Sequence, residues 1–76
     1  MNITKSFAEV WRKEARTLQN NLDADLKEAA QNNKNSLIYN FEYYSAYATM
    51  SCIMWLYEEG YAIIETNIEK VYEIRW

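Results

Sequence analysis

The sequence predicts an α+β fold, an antiparallel helical hairpin followed by a C-terminal β-hairpin in the order ααββ. Three observations carry this expectation. Apolar residues recur every three or four positions over residues 7–30. A bulkier helical pattern fills residues 36–59 after a short polar break, QNNKN. Beyond Gly60, the segments YAIIET and KVYEIRW are rich in β-formers, and the second alternates in character. An all-α three-helix arrangement stays open, because Thr66-Asn67-Ile68-Glu69 also has the spacing of a helix-capping box.

A chain of 76 residues fits one small domain, 1–76. At this size apolar burial barely offsets an ordering cost of roughly 1.5 kcal/mol per residue, so dense packing, a staple or a partner is needed. One cysteine, Cys52, leaves no internal disulfide, and without any histidine there is no zinc cluster. Dense packing, favoured by an aromatic content of 16%, or association with another chain remains.

The first helix is expected over about residues 7–31. Ser6-Phe7-Ala8-Glu9 has capping-box spacing, and the stripe runs Phe7, Trp11, Ala15, Leu18, Leu22, Leu26, Ala29. Asn20-Asn21 could interrupt it, but the stripe continues across them, which favours one long helix. QNNKN ends it, and a connection that short makes the next helix an antiparallel neighbour. The central helix, about residues 36–59, carries two stripes. One is Leu37, Phe41, Tyr44, Ala48, Cys52 and Trp55; the other is Tyr43, Tyr47, Met50, Met54 and Tyr57. The small residues Ser45, Ala48, Thr49 and Cys52 allow the first helix to approach closely. Two stripes need two coverings, one from the first helix and one from the hairpin or a partner. Gly60 is the natural stop, and a hairpin over residues 61–76 turns at residues 66–69.

Charge is unevenly distributed. Residues 1–35 hold six bases and five acids, or +1, and residues 36–76 hold two bases and six acids, or −4, giving the net −3. The acidic half also holds ten of the twelve aromatics, which disfavours phosphate binding as the main activity. Residues 43–57 are an uncharged run of 15, short of the roughly 18–20 needed to span a bilayer and containing four tyrosines, so no membrane span is expected. The N-terminal MNITKSFAEVW shows no signal peptide and the Asn2 sequon reads as coincidence; with the free thiol this points to the cytoplasm.

No enzyme, cofactor or metal site is expected. Histidine, the commonest general base, is absent, and a single glycine rules out the phosphate-cradling loops. Cys52 among Ala48, Met54 and Trp55 reads as a buried small hydrophobe, and Asp23, Asp25 and Glu28 as a solvated face. Glu58 and Glu59 break a local rule, since the carbonyl end of a helix favours cations. Pairing with Arg12 or Arg16 of an antiparallel first helix is the structural answer; a partner surface is the functional one.

Three functions follow. The first is a protein-binding module, most concretely a small acidic inhibitor that occludes a basic site on a nucleic-acid-handling protein, of the kind bacteriophages encode against host enzymes. Its contacts are Glu58, Glu59, Glu65, Glu69, Glu73, Tyr57, Tyr61 and Tyr72. The second is a homo-oligomeric assembly subunit. The third is a nucleic-acid-binding regulator using Arg12, Lys13 and Arg16.

Overall fold

The structure, a computed structural model, describes the backbone of residues 3–76 and the side chains of residues 8–76. Its elements are α1 (Ile3–Gln31), β1 (Ser36–Asn40), α2 (Ala46–Glu58), β2 (Ala62–Glu65) and β3 (Val71–Arg75). The fold is α+β: both helices pack on one face of a three-stranded antiparallel sheet of order β1-β3-β2. The C-terminal hairpin is β2 and β3, which excludes a third helix there.

α1 is the long helix that the apolar stripe predicts, uninterrupted at Asn20-Asn21 and beginning at Ile3, so that Ser6 falls inside it. The side chains of Ser6 and Phe7, and the Asn2 sequon, lie outside the described residues. Leu18, Leu22, Leu26 and Ala29 are buried, whereas Val10 and Trp11 are exposed. The reason is length. A 29-residue helix is about 43 Å long. A five-residue strand covers only about 17 Å. The N-terminal half of α1 therefore projects past the sheet. The helix ends in a Schellman motif: Asn33 adopts φ 61°, its N–H donates to Ala30 O at 3.1 Å, and Lys34 N–H donates to Ala29 O at 3.0 Å.

The expected helix over residues 36–59 is corrected at its start. Residues 36–40 are strand β1, and α2 begins only at Ala46. Leu37 and Phe41, four apart, suit a helix, but with Tyr39 between them they also fit a period of two. Leu37, Tyr39 and Phe41 all join the core, and Ile38 is 66% exposed on the other face. β1 pairs along β3, with Leu37 opposite Ile74 and Tyr39 opposite Tyr72. The chain then turns: Asn40 Oδ1 accepts from Glu42 N–H at 2.8 Å, and Ser45 Oγ caps α2 by accepting from Ala48 N–H at 3.1 Å.

That strand also corrects the relative direction of the helices. Because β1 carries the chain back along α1, α2 starts beside the N-terminal half of α1. Glu14 Oε1 accepts from Ser45 N–H at 2.7 Å, and the Trp11 and Tyr47 rings lie 6.0 Å apart. α2 ends beside Lys27 and Ala30, which share a cleft with Glu59, Gly60 and Tyr61. The two helices run side by side in the same direction, not antiparallel.

Gly60 terminates α2 as expected, at φ 91°, with Gly60 N–H donating to Tyr57 O and Tyr61 N–H to Leu56 O, both at 3.0 Å. The hairpin turn lacks glycine, and Thr66 compensates: its Oγ1 donates to Val71 O at 2.7 Å and accepts from Ile68 N–H at 3.2 Å. Lys70 takes the left-handed conformation the turn needs, at φ 63°. The core gathers Leu18, Leu22 and Leu26 from α1, Ala48, Cys52 and Leu56 from α2, Phe41 and Ile74. Phe41 sits edge-on to Tyr39 (5.1 Å) and Tyr72 (5.8 Å), so aromatic packing supplies the density a short chain requires.

Candidate docking surface

α2 has one face inside and one outside. Ala48, Cys52 and Leu56 are buried, and Trp55 packs against the core beside them. On the opposite side stand Tyr47, Met50, Met54 and Tyr57, 46%, 59%, 59% and 58% exposed. Their three-four-three spacing places all four within about 80° of the helix circumference at 3.6 residues per turn. Tyr43, just before the helix, is 88% exposed, and Trp11 of α1 meets the stripe at Tyr47. No charged residue occurs in α2 before Glu58. The first helix covers one of the two stripes, but the hairpin lies under the same inner side of α2. The second stripe is left open.

The eight predicted contact residues are not brought together. Tyr57 is exposed at the end of the stripe. Tyr61 and Tyr72 are half-buried structural rings, Tyr61 edge-on to Trp76 at 6.3 Å and Tyr72 against Phe41. Glu58 and Glu59 are exposed at the carbonyl end of α2. Glu65 closes β2 at the far end of the sheet, about 13 Å further along the strand at 3.3 Å per residue. Glu69 lies there too, in a cleft with Glu42 and Lys70. Glu73 is on the open sheet face, between Ile38 and Ile64 in register, with its carboxylate on Arg75 (Oε1 to Nη2, 2.6 Å). The five carboxylates thus occupy three separate places.

Arg12, Lys13 and Arg16 are exposed on the projecting half of α1. Parallel helices put them at the Tyr47 end of α2, so the expected pairing with Glu58 and Glu59 does not form within the chain. From Tyr47 to Glu58 the helix rises about 16 Å. Among the described residues the ion pairs are Lys27 with Asp23, at 2.8 Å, and Arg75 with Glu73. The Asp23 carboxylate, hydrogen-bonded to Lys27, raises the lysine's pKa.

Inside, burial pushes the Cys52 thiol up to about 11, and its side chain is buried among apolar neighbours, as the sequence indicates. Burial, with Tyr44 beside it, pushes Tyr39 up to about 12. Among the described residues no group of His, Cys, Asp and Glu is arranged to hold a metal ion, and no helix is long and apolar enough to cross a membrane.

No protein-family model, curated protein or solved structure matches this chain. Tyr47, Met50 and Met54 were legible in the sequence as a stripe needing cover. The signal that marks them as a surface is the absence of charge along α2, which burial and exposure share; Trp11 gave none beyond its place on the first stripe.

Proposed function

We propose that this protein is a non-enzymatic protein-binding module that docks through the outer face of α2. One observation carries the reading: Tyr47, Met50, Met54 and Tyr57 stand 46% to 59% exposed on a helix uncharged up to Glu58. Contiguous exposed apolar surface marks interaction sites, and tyrosine and methionine supply contact area and adaptability at interfaces. Glu58 and Glu59 at one end of the stripe, in a chain of net charge −3, suit a basic patch on the partner. The acidic inhibitor of a nucleic-acid-handling protein is one such pairing. The buried free thiol suits a reducing cytoplasm.

The test is retention of partners from a lysate by immobilised full chain, compared with Met50→Lys/Met54→Lys and with Glu65→Lys/Glu69→Lys. All four positions are exposed, so both variants are expected to keep the fold, which circular dichroism checks. The stripe variant is expected to lose the partners and the hairpin variant to keep them. A stripe variant that retains the same proteins as wild type refutes the reading.

A further inference from the structure

We propose that the outer face of α2 is the interface of a symmetric homodimer, in which two α2 helices pack antiparallel about a two-fold axis passing between Met50 and Met54. This rests on the docking reading above and names the partner as a second copy of the chain.

The stripe is its own complement. Tyr47, Met50, Met54 and Tyr57 are spaced three, four and three, the same read in either direction along the helix. A two-fold symmetric contact places the same patch against itself with the chain direction reversed. Tyr47 then meets Tyr57 of the second copy, and Met50 meets Met54. Since the face carries no charge, closing it buries no unpaired ion. Both tyrosines fall at the ends of the contact, where a hydroxyl can stay in water.

The charges at the two ends agree with this arrangement. Arg12 and Arg16 stand at the Tyr47 end, since Trp11 touches Tyr47, and Glu58 and Glu59 follow Tyr57 at the other end. Among the described residues none of these four forms an ion pair within the chain. An antiparallel pair of α2 helices sets the basic end of each copy against the acidic end of the other, twice. It also supplies the cations that the carbonyl end of α2 lacks, where Glu58 and Glu59 are otherwise unfavourable. A parallel pair would set base against base and acid against acid.

The area is adequate. Tyr43, Tyr47, Met50, Met54, Tyr57 and Trp11, each about half-exposed or more, offer roughly 600 Å² per copy, or about 1,200 Å² for the pair, the lower bound of specific interfaces.

Sedimentation equilibrium of the full chain from about 1 to 200 µM tests the proposal. Wild type is expected to follow a monomer–dimer equilibrium, which Met50→Lys/Met54→Lys weakens at least tenfold. Arg12→Glu/Arg16→Glu makes both ends acidic, and Glu58→Lys/Glu59→Lys makes both ends basic. Each alone is expected to associate at least tenfold more weakly than wild type, and an equimolar mixture of the two is expected to recover association as a heterodimer. Wild type remaining monomeric throughout overturns the proposal, as does a mixture that stays apart or a dimer indifferent to the lysine pair. A monomeric wild type that still binds another protein, with that binding lost in Met50→Lys/Met54→Lys, overturns the homodimer and leaves the docking reading standing. Binding to other proteins that survives the lysine pair refutes the docking reading itself.

Discussion

Glu14 is where α1 holds the start of α2, and its removal has a calculable effect. Ser45 Oγ takes the Ala48 N–H, as a capping serine does, but the third residue in is alanine, so no local side chain reaches back to the Ser45 N–H. Glu14 supplies that acceptor from the neighbouring helix, at 2.7 Å in a half-buried position. The two contacts together are a capping box completed across the helix pair. A hydrogen bond to a charged acceptor contributes about 1.5–3 kcal/mol, and a carboxylate at a helix N-terminus roughly 0.3–1 kcal/mol. Alanine returns a few tenths as a better helix former. Glu14→Ala is therefore expected to destabilise by about 1.5–3 kcal/mol. In a chain this short that lowers the melting temperature by about 8–20 °C. Glu14→Gln keeps an acceptor and should lose only about 0.5–1 kcal/mol. Ser45→Ala loses about 1 kcal/mol. Combined with Glu14→Ala it should deviate from additivity by at least about 0.5 kcal/mol, since both act on one helix start. Urea denaturation followed by circular dichroism measures wild type and the four variants. Glu14→Ala within about 0.5 kcal/mol of wild type would refute the reasoning.

Two left-handed positions should respond in opposite senses. A Cβ at Gly60 meets nothing within 4 Å, so Gly60→Ala incurs only the backbone strain at φ 91°, about 1–2 kcal/mol. Lys70→Gly relieves comparable strain at φ 63°, and after the entropy gained by the unfolded chain is expected to stabilise by up to about 1 kcal/mol. The extended path through β1 into Phe41, the residue that follows it, predicts alternation: Ile38→Thr should stay within about 0.5 kcal/mol, whereas Phe41→Ala, fully buried, should lose about 3–5 kcal/mol, and equal losses in urea melts would contradict the extended path. Alkaline pH should weaken the fold. Burial raises Cys52 from 9.0 to about 11 and Tyr39 from 10.0 to about 12, so both neutral forms are favoured in the folded state. Their stabilisation is intact below about pH 9 and is lost as pH rises through about 11 and 12. Thermal melts from about pH 8 to 11.5 should show the decline, with the earlier part missing in Cys52→Ala. A flat profile in wild type would sink the assignment.

Local pattern determined much of this protein. The stripe of Leu18, Leu22 and Leu26 specifies α1, Gly60 specifies where α2 stops, and the alternation of Tyr72, Ile74 and Trp76 specifies β3, because each signal lies within one element. The stretch over residues 36–45 could not be assigned that way. Leu37 and Phe41 satisfy a helical period of four and a strand period of two alike, and the deciding partner is β3, more than thirty residues away. A strand and a turn in place of the first turns of the expected helix then set the direction of α2. That direction separated Arg12 and Arg16 from Glu58 and Glu59, while the length of β2 and the register of Glu73 on the open sheet face dispersed the predicted acidic surface. The sequence contained both stripes of the central helix and showed that each needed covering. Only the tertiary structure chose between them: α1 and the sheet lie along the Ala48, Cys52 and Leu56 side, and the two layers leave the Tyr47, Met50, Met54 and Tyr57 side to solvent or to a partner.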